Sequence, residues 1–374
     1  MAGNAATDAT GRGPDQAPDR AEVTNAKRRN VITAAAAVAF GDSLDEPVAR
    51  ILAAADEPQV PTRVRAGDVR HLSGAVETLI TWDSRAGGAA VRHLALATLR
   101  WATAMLKSSC TPEVREELAA TTACLAALAS WATFDAGYHE PARQLSLLGL
   151  RAARESGDLG IRAWVASGLA RQEIQLGDWA GGLELIQLAR TGGDALTANA
   201  LADLHIVTAR AYARQPDTPQ CLRHLGLAAE TYRPDSVGTG PPWLRYFTPA
   251  KLEGDLANAR YDLLLTDAET GDRSAARLAL IDDLATACHQ YPPDRARSKA
   301  IAATRLATLL CLEGEQQAAH QRAEEVITLA GQVRSARLAD DLRVLLQVLP
   351  PGDRADEDAR DLRHRLSTAL TDMT

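Results

Sequence analysis

The sequence predicts an all-α protein, built as a right-handed α-solenoid of stacked helical hairpins. Short glycine-containing breaks interrupt long runs of Ala, Leu and Arg, and the glycines are Gly137, Gly177, Gly271 and Gly314. The first two are 40 residues apart and the last two are 43 apart, which is the period of stacked helix-turn-helix units. Composition agrees, because 46% of the residues are hydrophobic but only 4% are aromatic. A core of Ala and Leu suits closely packed helices, whereas sheets favour β-branched and aromatic residues.

The chain divides into three predicted segments. Residues 1–44 lack an apolar period and are rich in Gly, Pro, Asp and Thr, so we expect a disordered arm that ends in a short basic and Ala-rich segment. Residues 45–350 form the helical-repeat domain, and residues 351–374 a linker and a last helix. The expected helix pairs are 113–134 with 139–155, 159–176 with 179–190, 194–214 with 218–232, 249–266 with 273–290, and 294–312 with 315–331.

Local signals predict where several further helices begin or end. A short helix at 45–57 is expected to stop at a proline pair, and Asp68 is the candidate N-cap of the first long helix. A second helix covers 90–108, and Thr111 followed by Pro112 begins the third. Helices at 335–348 and 355–371 complete the chain.

A basic and apolar stretch near the N-terminus has two interpretations. Arg28 and Arg29 precede the apolar run 34–40, an arrangement that resembles a twin-arginine export signal. The apolar run is far shorter than the roughly 20 residues that a membrane-spanning helix needs. We therefore expect a cytoplasmic protein without a membrane partner, in which this stretch is a docked helix or linker, with export as the alternative.

Charge and cysteine usage exclude several classes of partner. The net charge is −7, so no global positive field draws the chain onto nucleic acid or an anionic membrane. The five cysteines are odd in number and never form a C-x-x-C pair, which indicates reduced, buried thiols. Neither they nor the eight histidines have the spacing of a zinc site, so no bound metal is expected. We also expect no cofactor and, because of the negative net charge, no direct contact with nucleic acid.

Motifs that would indicate catalysis are missing from the sequence. It contains no phosphate-binding P-loop, no nucleophile elbow, no H-E-x-x-H and no dinucleotide fingerprint. Paired carboxylates such as Asp282 and Asp283 are adjacent on a helix, so they point in different directions. His139 is expected to cap a helix or lie at the surface, and His205 to be a hydrogen-bonded buried histidine. An enzyme is the less favoured class.

Polar stripes on the first helix of each pair predict a binding groove. In a helical solenoid these helices usually line the concave face, where alternating charges and amides can bind a peptide segment. The alternative is that the stripes are the solvated faces of amphipathic helices. The candidate partner-binding residues are Trp164, Arg171 and Gln175 on 159–176, Asn199, Asp203 and Arg210 on 194–214, and Glu253 and Arg260 on 249–266.

An irregular loop at 233–247 adds two aromatic candidates. Three of its last five residues are aromatic, including Trp243 and Tyr246. Long ordered loops in compact domains are often functional, so this one could fold over the concave face and close on a ligand. It could equally plug the joint between two blocks of hairpins, because clustered apolar side chains are usually buried packing.

Four stretches resemble a known regulatory domain: 130–138 (SWATFDAGY), 240–244 (GPPWL), 291–300 (YPPDRARSKA) and 333–337 (VRSAR). They are similar to the tetratricopeptide-like (TPR-like) domain of actinobacterial XRE-family transcriptional regulators, over about residues 68–350. The resemblance implies a TPR-like domain that senses a ligand or partner and forms a homodimer. Residues 1–30 occupy the place of the family's DNA-binding helix-turn-helix, which is not recognisable here.

Together these features predict a non-enzymatic regulatory or scaffold protein. It would bind a peptide or protein segment in an actinobacterial regulatory pathway, such as the control of development or secondary metabolism. The alternative is a biosynthetic enzyme or small-molecule-binding accessory protein on the same scaffold, with Trp243 and Tyr246 enclosing a pocket. An open groove would favour the first, and a closed, mostly apolar cavity beneath residues 233–248 the second.

Overall fold

A computed structural model of the chain describes residues 59–191, 195–236, 241–266, 274–349 and 357–373. The predicted arm, the short helix at 45–57, the twin-arginine stretch and Gly271 lie outside these ranges. Within them the fold is all-α, as predicted, with 14 α-helices and no strand. The helices are α1 Ala66–Ala86, α2 Gly88–Met105, α3 Pro112–Asp135, α4 His139–Ser156, α5 Leu159–Gln175, α6 Trp179–Arg190, α7 Ala198–Arg214, α8 Thr218–Thr231, α9 Pro249–Thr266, α10 Ser274–Gln290, α11 Ala296–Leu312, α12 Gln316–Ala330, α13 Ala336–Val348 and α14 Glu357–Met373.

The caps of α1 and α3 show one wrong prediction and one confirmed one. Helix α1 begins at Ala66, so Asp68 is not its N-cap. Asp68 is instead the third helical residue, and its Oδ2 accepts the backbone N–H of Arg65 at 2.8 Å. Thr111 caps α3 as predicted, with its hydroxyl accepting the N–H of Val114 at 3.4 Å.

Four hairpin turns share one backbone geometry, which explains the spacing of Gly137 and Gly177. In each turn an N–H beyond the helix end donates to a carbonyl five residues earlier, and the residue before the donor has a positive φ. Gly137, Gly177 and Gly314 occupy this place with φ of 86°, 95° and 80°. The bonds are Tyr138 N to Thr133 O (3.0 Å), Asp178 N to Glu173 O (2.9 Å), Asp217 N to Tyr212 O (3.0 Å) and Glu315 N to Leu310 O (3.0 Å).

The helices alternate between an inner and an outer layer. Each odd-numbered helix from α1 to α13 packs against the next odd-numbered helix, and the even-numbered helices cover them from outside. Small side chains between the layers allow close packing, and α3 alone buries eight alanine or leucine residues between 118 and 129. By length and composition α3 could cross a membrane, but 72% of its apolar window is buried inside this fold.

The inner layer closes on itself. Besides its neighbours in sequence, α1 packs against α11, and α3 packs against α13. At this junction the N–H of Arg334 donates to the carbonyl of Ala86 at 3.0 Å. Gly87 has a φ of 86°, and a Cβ added there would lie 2.3 Å from the Arg334 carbonyl oxygen. The described inner helices therefore form a ring rather than the open groove expected from the sequence.

Asp135 is the polar centre of this closure. Its buried carboxylate accepts the Gly88 N–H (3.0 Å), the Ser335 hydroxyl (2.7 Å), Arg337 Nε (2.8 Å) and Arg297 Nη1 (3.2 Å). These donors stand at the starts of α2, α11 and α13, where helix dipoles favour negative charge. Burial by itself raises the pKa of Asp135, but the charges of Arg337 and Arg297 outweigh it and lower the pKa to about 2.

Replacing Asp135 with asparagine should therefore destabilise the fold strongly. Asp135→Asn removes the charge that compensates two arginines at a buried site, and breaking such a pair costs about 3 kcal/mol. Urea unfolding followed by circular dichroism measures this loss. The matched control is Asp283→Asn, which breaks the exposed pair with Arg260 and should cost less than about 1 kcal/mol. Equal losses in the two variants would contradict the assigned role of Asp135.

The same carboxylate should make stability depend on acid pH. Because the folded pKa of Asp135 is about 2, below its ordinary 3.8, its contribution is complete above about pH 4 and disappears as the pH falls through about 2. Wild-type and Asp135→Asn melting temperatures, measured from pH 5 downwards, should converge over this window. Parallel curves would show that Asp135 is not charged and paired in the fold.

Candidate ligand-binding cavity

The ring of inner helices encloses a cavity of about 560 Å³. Its wall comes from α1, α3, α5, α7, α9, α11, α13 and the loop before α9. Exposed lining residues, among them Glu77, Arg245 and Asp340, mark where it opens to solvent. The volume lies in the range of small-molecule sites in proteins.

Nearly half of the side chains in the described wall are charged. Nine are cationic, namely Arg171, Arg210, Arg214, Arg245, Lys251, Arg295, Arg297, Arg305 and Arg337. Six are carboxylates, namely Glu77, Asp83, Asp255, Asp262, Asp340 and Asp341. Each of these carboxylates forms an ion pair with an arginine or lysine. Since the cations outnumber the carboxylates, the described wall carries a net positive charge.

One ion-pair network joins four inner helices. Asp262 on α9 accepts Nε and Nη2 of Arg210 at 3.0 and 2.9 Å and Nη2 of Arg214 at 3.0 Å. Arg305 on α11 approaches Asp262 to 3.7 Å and donates from Nε to Asp341 on α13 at 3.0 Å. Burial raises the pKa of Asp262, but the arginine charges outweigh it and hold the pKa below its usual value. Asp262 is therefore charged at neutral pH, whereas burial raises the pKa of Asp341 despite the opposing charge of Arg305. The network ties α7, α9, α11 and α13 together.

A second network centres on Arg171 of α5. Its Nη2 lies 2.5 Å from Asp203 Oδ1, and its Nη1 lies 3.7 Å from Asp255 Oδ2. The Tyr246 hydroxyl donates to the same Asp203 oxygen at 3.2 Å, and Lys251 Nζ lies 2.5 Å from Asp255 Oδ1. Burial lowers the pKa of Lys251 from its ordinary value, although the Asp255 charge opposes this effect. This network joins α5, α7, α9 and the 233–247 loop.

Six aromatic side chains give the wall flat apolar surfaces. They are Trp131, Trp164, Trp243, Tyr246, Tyr261 and Tyr291. The rings of Trp164 and Trp243 are 5.9 Å apart, and the Arg337 guanidinium lies 5.0 Å from the centre of the Trp131 ring. Such surfaces can stack on a planar ligand while the arginines bind its polar groups.

Residues 243–247, at the end of the irregular loop, are both packed against other residues and part of the wall. Trp243, Leu244 and Phe247 are buried, and a Cβ at Gly160 would lie only 2.8 Å from the Trp243 ring. Trp243 and Tyr246 also line the cavity. The structure therefore shows the packing role, and closure of this loop on a ligand stays a prediction.

The structure brings most of the predicted site residues together. Six of the ten line the cavity: Trp164, Arg171, Gln175, Arg210, Trp243 and Tyr246. Asp203 is buried directly behind them, bonded to Arg171. Asn199 lies instead at the base of the loop, and Glu253 and Arg260 are exposed on another face of α9. Arg260 pairs there with Asp283. A role in binding remains a prediction for all ten.

Sequence reasoning missed the acidic residues of α9 that do face the cavity. Asp255 and Asp262 are seven residues apart, as Glu253 and Arg260 are, so both pairs have helical spacing. A signal was present, because Asp255 and Asp262 are each flanked by residues that are largely apolar. A carboxylate in such a setting is a candidate for a buried ion pair.

Histidine and cysteine residues contribute no reactive group to this wall. His205 is buried, with Nδ1 2.9 Å from His224 Nδ1 and Nε2 3.0 Å from Arg190 Nη2, which confirms the expected hydrogen-bonded histidine. Burial lowers the pKa of His205 to about 4. All five cysteines are free, and burial raises the pKa of Cys221 to about 12. Across the described ranges, no cluster of three or more His, Cys, Asp or Glu could hold a metal ion.

No protein-family model matches the chain, and no significantly similar curated protein was found.

Asn199 should be essential for holding the loop that forms one wall. Its Nδ2 donates to Arg233 O (3.0 Å) and Ser236 Oγ (2.9 Å), and its Oδ1 accepts the Arg233 N–H at 2.7 Å. Asn199→Ala removes these three partly buried bonds and should cost roughly 2 kcal/mol. It should also speed tryptic cleavage after Arg245, which lies in the same loop. Gln144→Ala, which removes one exposed bond to Glu140, should change neither, and similar behaviour of both variants would contradict the anchor.

Proposed function

We propose that this protein is a non-enzymatic regulatory protein that binds a small organic ligand inside its helical ring. The observation that carries the proposal is the cavity of about 560 Å³, whose wall combines six aromatic rings with arginine side chains held by buried ion pairs. Small-molecule sites typically have this volume and this mixture of apolar surface and fixed polar groups. Neither histidine nor cysteine occurs in the described lining, which favours binding over catalysis.

The proposed architecture is a right-handed solenoid of TPR-like hairpins. Repeated turn geometry and alternating layers support it. Three of the four stretches that resemble the XRE-family regulatory domain contribute Asp135, Arg297, Ser335 and Arg337 to one hydrogen-bonded cluster, and the fourth contributes Trp243 to the wall. These contacts support membership of that regulator class, with a cytoplasmic role in a pathway such as the control of secondary metabolism.

The proposed mechanism is a ligand-dependent shift in how firmly the ring is closed. The wall combines helices far apart in sequence, such as α1, α5 and α13, so a ligand touching several of them binds the closed state more tightly than an open one. A partner protein or a second copy of the chain would then bind the outer surface with an affinity that depends on whether the ring is closed.

A peptide segment is the second candidate occupant. Charges of both signs stand at the opening, where Glu77 and Arg245 form a loose pair of 3.7 Å, and the amide of Gln175 lies on the wall beyond. Amides and mixed charges suit the backbone and the ends of a peptide. A segment threaded through this opening would have to be narrow, because the ring is closed.

Filling the cavity should abolish ligand binding without unfolding the protein. Gln175 lines the cavity and makes no hydrogen bond to any described residue, so Gln175→Trp adds bulk without removing a contact. The purified protein is incubated with a small-molecule extract of its native cells and examined by native mass spectrometry. Wild type should retain a discrete added mass that denaturation releases, and Gln175→Trp should not.

The control is Glu253→Trp, which places the same bulk on an exposed face away from the cavity. It should bind as wild type does. Equal retention by Gln175→Trp and wild type would show that the ligand lies elsewhere. Retention of peptides alone, lost in Gln175→Trp, would select the second candidate.

A further inference from the structure

Most hydrogen-bond donors of the wall residues Arg295 and Arg337 have no partner among the described residues. Arg295 makes a single bond, from Nη1 to the Ser84 hydroxyl at 3.1 Å. Arg337 donates only from Nε, to Asp135 at 2.8 Å. No other described residue accepts from these two guanidinium groups, whereas every lining carboxylate in the same ranges is already paired. A guanidinium fork with open N–H groups beside water-accessible space is a site for anionic oxygens.

Arg295 and Arg337 lie on either side of Arg297, whose Nη donors are already used by two carboxylates. Arg297 donates Nη1 and Nη2 to the two oxygens of Asp83, at 2.9 and 2.7 Å, and Nη1 also to Asp135 at 3.2 Å. Ser84, the partner of Arg295, follows Asp83 directly, and Asp135 is the partner of Arg337. Arg295 and Arg337 therefore lie on either side of the Asp83–Arg297–Asp135 chain, and all three arginines line the cavity.

The surroundings add positive potential and a stacking surface. Arg295 immediately precedes α11, and Arg337 is the second residue of α13, so both stand at helix N-termini that favour negative charge. The Arg337 guanidinium lies over the Trp131 ring at 5.0 Å, which fixes its plane. Asp340, one turn further along α13, forms an ion pair with Arg343, in which Oδ1 lies 2.5 Å from Nη1.

We propose that Arg295 and Arg337, with Trp131, form an anion subsite that takes the carboxylate or phosphate of an aromatic acid bound in the cavity. The inference rests on the proposed function and names its ligand class. Oxygens of the acid accept the open N–H groups of both arginines, while the ring of the acid lies among the aromatic side chains of the wall. Carboxylate and phosphate share this chemistry, so the probes include both.

The subsite also couples occupancy to ring closure. Arg337 keeps its Nε on Asp135 of α3 and Arg295 keeps its bond to Ser84 of α1, while the open N–H groups of both arginines bind the ligand. These two contacts exist only in the closed ring, so a ligand that holds both guanidinium groups in place favours closure. Binding therefore stabilises the contacts of α1 and α3 with the starts of α11 and α13, and the folded protein melts at a higher temperature with ligand.

Titration with three related probes tests the subsite. Phenyl phosphate and benzoate carry the anion, and benzamide is their neutral control. Binding is followed by the fluorescence of the lining tryptophans Trp131, Trp164 and Trp243 and by the melting temperature. The two acids should bind wild type saturably and raise its melting temperature, and benzamide should bind at least about tenfold more weakly.

Three variants locate the effect. Arg295→Gln removes one guanidinium that has a single bond to lose, and it should weaken binding of both acids about tenfold but leave benzamide unchanged. Arg337→Lys keeps a positive charge beside Asp135 but loses the fork, and it should do the same. The control Arg151→Gln, on the outer helix α4 and paired only loosely with Glu155 at 3.8 Å, should stay within about twofold of wild type.

Wild-type affinity in Arg295→Gln and Arg337→Lys overturns the subsite, as does the absence of saturable acid binding to wild type. If the native ligand is still captured by wild type and lost in Gln175→Trp, the cavity function stands and only the anion assignment fails. If Gln175→Trp also retains that ligand, the proposed function fails independently of the acid probes.

Discussion

The buried carboxylate of Asp135 holds the beginning of this fold to its end. Isolating a charge from water is costly unless donors replace the water, and here the donors come from residues 47, 162, 200 and 202 positions away in sequence. Three helices start at this point, so their dipoles add to the two arginine charges. Asp135 is the buried centre of the junction at which α1 and α3 meet α11 and α13, and Arg297, which it binds, also pairs with Asp83 of α1. The ring and the cavity inside it therefore depend on this buried cluster.

Closing the ring changes what the inner faces of the helices must do. On an open concave surface, polar side chains would be hydrated, and ion pairs between them would contribute little. In the ring they face each other across a narrow space, so each lining carboxylate of the described wall has a cationic partner and the guanidinium groups are held in fixed positions. Fixed donors lose little freedom when a ligand arrives, which is a condition for selective binding. Structural ion pairs and ligand recognition thus share the same side chains.

Much of the fold could be predicted because its signals are local. Thr111 with Pro112 starts α3, and Gly137, Gly177 and Gly314 end helices through a turn that needs a positive φ. The closure could not be predicted, because no local pattern relates Asp135 to Arg337. For the candidate site, helical spacing identified Arg171 and Arg210 but could not choose between Glu253 with Arg260 and Asp255 with Asp262. That choice depends on which face of α9 meets the other helices of the ring.

The closure can be observed at one backbone amide, that of Arg334. It lies in the loop between α12 and α13, and its hydrogen-bond partner is the carbonyl of Ala86 at the end of α1. Hydrogen exchange of this amide, measured by NMR, tests whether the two ends of the ring are joined. The closed ring predicts protection comparable to that of amides in the middle of α13, together with rapid exchange in Asp135→Asn. Exchange in wild type at the rate of an unstructured peptide would mean that the ring is open and that the cavity described above does not exist in solution.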